Sequence, residues 1–564
     1  MEKSYLIIYQ GNVENVIDEL KANFINKYII LNESLLVIYV PIFFYEEILN
    51  DINSVSWWQK SAPMSSLIKI NGDSKNLDKG VSVTDSAGTE YIYKNPYITT
   101  TGKNVLIAII DSGIDYMHPD FRSKDNTTNI VAIWDQESDK KSPPEGMLFG
   151  SEFTKQDINK AILENDRTLS VDNVGTGTTA AGIAAGKGNL NSLYKGVAVD
   201  AELVVVKLRE YEDTYKIGKI NYQKSDFLAG IKYVLDIAKK EDKFIVINLT
   251  IGLVSKSIIE MTMLDTFTQL NESGIIVVSG AGNEGNTDIH YEGKFIDKNK
   301  VQDIIIQVGE QKNLAINLVT SGPDKIGASL ISPSGELSYQ IMYSPEYYVY
   351  RGKFNLEDTS YEMRLVYPWL ESGHQELEIS LYDIKPGIWT LRLVPEFILG
   401  GNYDVYLPNK NLISQETRFS DPASLSTITM YGAAENIITI GAYNDKTDSI
   451  WIGSSKGPVK TKGIKPDIVA PGVDIIAPFI NNEYNTSMGT GVSSSIVSGV
   501  LALIIEYIRE QYEFYLGALY THQLKTYLML GATKKDIYIY PNVSQGYGNL
   551  NLKDTMIAIA NNFE

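Results

Sequence analysis

The 564-residue chain has no cysteine and only four histidines, His118, His290, His374 and His522. The first absence excludes disulfides and thiolate chemistry. The second leaves few imidazoles for proton transfer or metal ligation. Basic charge is also short: 50 Lys and Arg stand against 69 Asp and Glu, for a formal net charge of −19. Phosphate binding needs a basic face, so no nucleic-acid partner is expected, and the acidity is read as favouring solubility. Long hydrophobic runs are missing too. The longest apolar helical stretch, Ile496–Ile508, is broken by Ser498, Gly499 and Glu506. It is too short for a bilayer, so no membrane span is expected. The N-terminus sets acidic Glu2 beside Lys3 and offers no small-residue cleavage site, so no signal peptide is expected there.

What is present is enough for two to four domains. Residues 1–90 read as a small α+β unit. Strands at Tyr5–Tyr9, Tyr28–Leu31, Leu35–Val40 and Ser56–Gln59 alternate with helices over Val13–Phe24 and Phe43–Ile52. In the first helix Val13, Val16, Ile17, Leu20 and Phe24 recur at helical spacing. Residues 72–89 are a polar linker rich in Gly, Ser and Asp. Residues 91–290 set apolar runs ending at Asp111, Lys207, Gly252 and Ser279 against helical stretches such as Phe227–Lys239. Continuous apolar runs are buried parallel strands, and their alternation with helices predicts an α/β, doubly wound, mainly parallel sheet. Residues 291–424 change character to short alternating strands punctuated by Ser332-Pro-Ser-Gly335 and Lys385-Pro-Gly387, an all-β insertion with a jellyroll as its expected form. Residues 425–564 return to α/β, with a strand near Ile437–Gly441 and helices from Gly491 and over Gln523–Gly531.

Three motifs sit at the ends of these strands. The first is Asp111-Ser-Gly-Ile-Asp115, followed by His118-Pro-Asp-Phe121. The second is Asn173-Val-Gly-Thr176-Gly-Thr-Thr-Ala-Ala-Gly-Ile-Ala-Ala-Gly186. The third is Gly489-Thr-Gly491-Val-Ser-Ser-Ser-Ile-Val-Ser-Gly499, preceded by Ala281-Gly-Asn283 and Lys465-Pro-Asp-Ile-Val-Ala-Pro-Gly472. Together they resemble the subtilisin-like proteases. The leading unit resembles a subtilisin propeptide, and the all-β insertion between Asn283 and Gly491 resembles that of the clostridial Csp family of germination proteases. The resemblance covers nearly the whole chain and is strongest to the pseudoprotease branch of that family.

The resemblance assigns Asp111 as the triad carboxylate and Asn283 as the oxyanion donor. It places Thr176 where the general base should be and Gly491 where the nucleophile should be. A second register, with Ser487 as nucleophile, is disfavoured: the family's helix glycine lies eight residues after its serine, which fits Gly491 and Gly499 but pairs Ser487 with Ser495. His118 belongs to the motif in catalytic members as well and is assigned a structural role. Asp111, Asp115 and Asp120 are accounted for by the same motif, and neither a metal nor a cofactor is expected. Acyl transfer needs a hydroxyl, an imidazole and an orienting carboxylate, so degenerate triad positions 111, 176 and 491 imply no functional catalytic residue and no self-cleavage. The N-terminal unit would stay attached, with its C-terminal linker in the cleft.

What the resemblance implies for function is a non-catalytic regulator of spore germination. Its expected location is the bacterial spore, in the cortex or coat region after synthesis in the mother cell, and its expected partner is a sibling Csp protease or pseudoprotease. A bile-salt germinant is the implied ligand; for an anion to bind so acidic a chain, an apolar groove with a local Lys or Arg is needed. Two other readings stay open: an active serine endopeptidase using Ser487, and a structural or chaperone-like component of a germination complex.

Overall fold

A computed structural model of the chain describes residues 2–71, 77, 80–211, 215, 216, 218–255, 258–344, 349–368, 373–459, 463–512 and 519–563. Its centre is a nine-stranded sheet. In spatial order the strands are Ser449–Ile450, Ile438–Asn444, Ile275–Gly280, Phe244–Leu249, Val105–Asp111, Glu202–Lys207, Ile130–Asp135 and Ser151–Thr154, with Ile468–Pro471 beside Ile438–Asn444. The inner strands are parallel, and antiparallel partners close both edges. Val105–Asp111 is buried at every position, as a strand covered by helices on both faces must be. Helices Thr176–Ala185 and Thr490–Gln511 pack on one face, and Lys224–Glu241 packs on the other. Small residues of the first two allow close approach: a Cβ on Gly499 would lie 2.8 Å from the Ala184 carbonyl oxygen.

The helix Thr490–Gln511 runs for 22 residues, longer than the sequence suggested. Its length and hydropathy would suit a bilayer, but 94% of its most apolar window is buried inside the protein. The residues taken as breaks have partners. Ser498 donates to the Ser494 carbonyl (2.8 Å), and Glu506 accepts the N–H groups of Thr101, Gly102 and Lys103 at 2.6, 2.6 and 3.1 Å.

The N-terminal unit is a four-stranded antiparallel sheet, ordered Tyr28–Ile30, Leu35–Pro41, Glu2–Tyr9, Val55–Lys60. Alternation along its strands divides the side chains between two cores. Tyr5, Ile7, Tyr9, Leu36 and Ile38 pack with the helix Val13–Ala22. Leu6, Leu35, Val37 and Tyr39 join the core of the central body. Two expectations are corrected here. The first helix ends at Ala22, and Phe24 lies beyond it at φ 61°, 91% exposed. The span Phe43–Ile52 holds only a 3-10 turn, Glu46–Asp51. The polar linker is also not all loop. Val83–Ala87 is a short helix, with Ser82 accepting the Asp85 N–H at its start and Gly88 at φ 68° closing it; residues 72–76, 78 and 79 lie outside the described set.

The all-β part is a two-sheet sandwich. One sheet has six strands, ordered His290–Lys294, Asn402–Tyr406, Asn313–Thr320, Gln375–Tyr382, Thr359–Val366, Val349–Phe354. The other has four, ordered Lys325–Ile331, Gly387–Phe397, Gln302–Val308, Arg418–Phe419. Both contribute to one core around Leu318, Ile379, Trp389 and Leu391.

Candidate functional site

The strand Val105–Asp111 delivers a carboxylate to the C-terminal edge of the central sheet, where open α/β folds bind their ligands. Asp111 is fully buried. Its Oδ1 accepts the Thr176 hydroxyl at 2.5 Å and the Ser112 N–H at 2.7 Å, and its Oδ2 accepts the Thr250 hydroxyl at 2.5 Å. Burial pushes this carboxyl up to about 6, and the three donors pull it back. Thr176 is the first residue of its helix, preceded by Gly175 at φ 90°. Its hydroxyl therefore takes the contact that an imidazole N–H makes to the carboxylate in a serine protease triad. The helix start is fixed further by the Gly177 N–H, which donates to the Ser112 Oγ at 2.9 Å.

Across the cleft, Asn283 is oriented by Thr490, whose N–H and hydroxyl both donate to Asn283 Oδ1 at 3.0 Å. That leaves its Nδ2 aimed into the cleft, where it donates to the carbonyl oxygen of Leu67 at 2.9 Å. The Gly491 N–H donates to the same oxygen at 3.0 Å. Two convergent donors on one carbonyl are the geometry of an oxyanion hole, and here the peptide between Leu67 and Ile68 occupies it. Positions 111, 176, 283 and 491 are thus brought to one cleft.

The occupant runs through the cleft as a strap. Pro63–Ser66 lies between two cleft strands, paired antiparallel with Ile251–Gly252 and with Tyr222–Gln223. The Leu67 N–H continues the ladder to the Thr250 carbonyl (2.7 Å). Beyond the held peptide, Lys69–Ile70 pairs antiparallel with Glu483–Met488. The Leu67 side chain is 2% exposed and enters a slot floored by two glycines. A Cβ on Gly280 would lie 2.9 Å from Leu67 Cδ1, and one on Gly252 would lie 3.3 Å from Cδ2. Gly491 allows similarly close approach, since a Cβ there would lie 3.0 Å from the Leu67 carbonyl carbon and 2.7 Å from Ile68 Cγ1. The segment in the cleft therefore precedes the polar linker rather than belonging to it. Apolar Met64, Leu67 and Ile68 can fill pockets that Gly, Ser and Asp cannot.

The other sequence candidates lie apart. Ser487 is buried in the strand Glu483–Met488, its hydroxyl donating to the Ile475 carbonyl at 3.2 Å. His118 accepts the Asp120 N–H on Nδ1 (3.2 Å), which leaves Nε2 to donate to the Glu483 carbonyl at 3.1 Å. Burial lowers its pKa. Glu483 is four residues from Ser487 along an extended strand, so His118 is tied to a point about 13 Å away from that hydroxyl. His290 is held by Asp404 at 2.9 Å within the sandwich, and His522 stacks on Tyr520. Sequence reasoning placed Thr250, Gly252 and Thr490 in motifs at the cleft but gave them no contact, and gave Leu67 and Gly280 no role. The two threonines carry a weak signal, one just past a buried strand and one just before Gly491; Leu67 carries none.

Comparison with known proteins agrees with this geometry. The structure of the CspB protease of Clostridium perfringens superposes with a TM-score of 0.72 at 28% identity, covering 85% of this chain and 98% of that one. The epidermin leader peptide processing protease EpiP of Staphylococcus aureus shares the fold, at a TM-score of 0.50 and 15% identity over 99% of both chains. The PIII-type proteinase of Lactococcus lactis subsp. cremoris is 24% identical over 82% of this chain, which spans 25% of that protein's length. The minor extracellular protease Vpr of Bacillus subtilis is 22% identical over 85% of this chain and 56% of its own length. The subtilase profile matches residues 102–357 and 400–549, flanking an interruption within the sandwich, and the chain belongs to the subtilase family, peptidase S8.

Proposed function

We propose that this chain is a catalytically inactive subtilase that acts as a regulator. The observation that carries this reading is the occupied oxyanion hole: Asn283 Nδ2 and the Gly491 N–H both hold the Leu67 carbonyl, while position 491 has no hydroxyl and position 176 no imidazole. A bound peptide with both donors in place has everything needed for acylation except nucleophile and base. In a related scaffold, loss of either alone costs a factor of about 10⁶ in turnover. The cleft becomes a docking groove for the chain's own strap.

The biological setting follows from likeness to the clostridial Csp family, of which the C. perfringens CspB protease is a structural neighbour. In that setting the chain controls a sibling Csp protease in the bacterial spore during germination, and a bile-salt germinant is the signal it reads. The active-protease reading through Ser487 lacks a geometric basis, because that hydroxyl faces the Ile475 carbonyl.

The test is the intact mass of the purified full chain. A mass near 62.8 kDa with the starting N-terminus is expected. The double variant Thr176→His/Gly491→Ser should then cut itself between Leu67 and Ile68. Loss of the N-terminal unit from the unaltered chain, abolished by Ser487→Ala, would overturn the reading.

A further inference from the structure

Glu284 follows the oxyanion donor Asn283 in the polar run Gly282-Asn-Glu284-Gly-Asn-Thr-Asp288. A glutamate in such a run is expected in water, yet this one is 6% exposed. The reason is the sandwich. The chain leaves the body just after Glu284, enters the strand His290–Lys294, and returns after Asn402–Tyr406. The outgoing and returning segments are joined by the Leu407 N–H on the Ile289 carbonyl (2.9 Å). The return then closes over Glu284. The Lys410 N–H donates to Oε1 at 3.2 Å, and the Thr287 hydroxyl meets Oε2 at 2.5 Å. From the body, the Ser455 hydroxyl accepts the Glu284 N–H at 3.0 Å. Asn409, the residue before Lys410, reaches the strap. Its Nδ2 donates to the Ser65 hydroxyl and the Gly252 carbonyl, both at 2.9 Å, and its Oδ1 accepts the Val254 N–H at 3.0 Å. One short segment thus holds the strap with one residue and Glu284 with the next.

The contacts around Glu284 suit a neutral acid better than an ion. Protonated, Oε2 donates to the Thr287 hydroxyl, which passes its own proton to the Glu284 backbone carbonyl at 3.2 Å, while Oε1 keeps the Lys410 N–H. Every donor then has an acceptor. Ionised, the carboxylate is left buried with two neutral donors. Among the described residues only Lys410 acts on it as a charge, and the two form no ion pair. The Lys410 ammonium donates instead to the Thr417 carbonyl at 2.6 Å, and it faces Asp288 and Arg418 as well. The body presents the neutral Ser455. Burial therefore pushes the Glu284 carboxyl up to about 7 from an ordinary 4.5, against the pull of the Thr287 hydroxyl, the Lys410 N–H and the Lys410 charge.

We propose that Glu284 is a proton-operated latch that couples the sandwich to the strap: the protonated residue clamps the return segment Leu407–Lys410, and its ionisation loosens that segment and, through Asn409, the strand held in the cleft. The sign follows from linkage. When the return segment lifts, the carboxyl meets water and regains its ordinary value, so the closed form holds its proton more tightly than the open one. Opening is hardest below about pH 4.5 and becomes easier as pH rises towards about 7; above that both forms are ionised and the dependence ends. In an exposed turn the same glutamate would have no such leverage, and the inserted sandwich supplies it by covering the carboxyl. The latch does not depend on whether the chain is catalytic. Retention of a strap for it to act on rests on the non-catalytic reading above.

The experiment is hydrogen exchange of the full chain at pH 5 and 7.5, corrected for intrinsic exchange. Asp111→Asn is carried in every protein, because that carboxyl titrates in the same window. Protection of the Leu407, Lys410 and Leu412 amides should fall about tenfold or more between the two pH values, and that of the Leu67 amide should fall with it. Amides of Gly387–Phe397 should keep theirs. Glu284→Gln presents an amide donor to Thr287 and an oxygen to Lys410, as the protonated acid does, and should reduce the change at all four sites to about twofold or less. His290, near the same linker, is common to both proteins and cancels in the comparison. Thr287→Val removes a hydroxyl that favours the ion; it should move the midpoint of the fall to higher pH, and it serves if Glu284→Gln does not fold. No fall, an equal fall in Glu284→Gln, or an unmoved midpoint in Thr287→Val would overturn the latch. A response confined to Leu407, Lys410 and Leu412 would overturn its link to the strap. Self-cleavage, which would sink the non-catalytic reading, is read by mass and leaves the result at the linker standing.

Discussion

Asp111 keeps a triad position with no imidazole to orient, and its burial has a measurable consequence. Its carboxyl is pushed up to about 6 from an ordinary 3.8, so the folded state takes up a proton more readily than the unfolded chain. Stability therefore rises as pH falls from about 6 towards 4 and is lost as pH rises through the same window. Asp111→Asn keeps the shape and removes the charge. It should flatten that part of the pH profile and stabilise the protein at pH 7.5 by on the order of 1–3 kcal/mol, read by urea denaturation at pH 5 and 7.5. A loss at pH 7.5 would mean that the Thr176, Thr250 and Ser112 donors outweigh desolvation. At this scale much was legible in the sequence: Asp111, Thr176, Asn283 and Gly491 stand in local motifs whose spacing fixes their places. Leu67 was not, because its role is set by Gly252 and Gly280, which no local pattern connects to it.

The strap and the core helix carry the element-scale consequences. Leu67→Ala leaves the backbone contacts to Asn283, Gly491 and Thr250 intact but empties the glycine-floored slot. The docked state should lose about 2–4 kcal/mol, seen as a lower Tm and as faster cutting within residues 61–71 by an added protease. Gly280→Ala should give the same phenotype from the pocket side, since its Cβ would lie 2.9 Å from Leu67 Cδ1 and 2.9 Å from the Thr490 backbone carbon and hydroxyl; Leu67→Ala relieves only the first clash, so the double variant should be less than additive but worse than Leu67→Ala alone. An unchanged rate of cutting in both would show that backbone pairing alone holds the strap. In the helix Thr490–Gln511, Glu506 anchors the turn before the central strand through three N–H groups. Glu506→Ala should cost about 2–4 kcal/mol and Glu506→Gln about half of that, because the amide keeps one accepting oxygen; urea denaturation of both checks the ratio. The sequence showed this residue as an interruption in an apolar run. A buried charge and a break look alike until the partners, 403–405 residues away, are placed.

For the whole molecule, the order of elements was readable from periodicity, but the docking of the parts was not, because it depends on a few long-range polar contacts without sequence pattern. The sandwich grips the N-terminal unit through Arg364, beside the Arg351 pairs with Glu46 and Glu47 at 2.8 and 3.2 Å. The Arg364 guanidinium lies 4.8 and 4.4 Å from the Trp57 and Trp58 rings, donates to the Trp58 carbonyl at 2.6 Å and pairs with Glu378 at 3.5 Å, with its side chain 8% exposed. Lysine cannot reproduce the planar stacking and the fork together. Removing the side chain leaves the Trp58 carbonyl short of a donor and uncovers the two indole rings, while Glu378, 30% exposed, keeps the Gln59 amide, so Arg364→Ala should cost about 2–3 kcal/mol, whereas an exposed pair such as Arg392 with Asp303 would cost under about 1 kcal/mol. The loss should be local. Hydrogen exchange should quicken in Glu2–Tyr9, Val55–Lys60 and the strap, while amides of Gly387–Phe397 deep in the sandwich keep their protection. If exchange quickens evenly through sandwich and N-terminal unit alike, Arg364 supports the insertion's own fold and the clamp is elsewhere. If it quickens only in the N-terminal strands and the strap, the insertion is the part that keeps the strap in the cleft, as the proposed regulator requires.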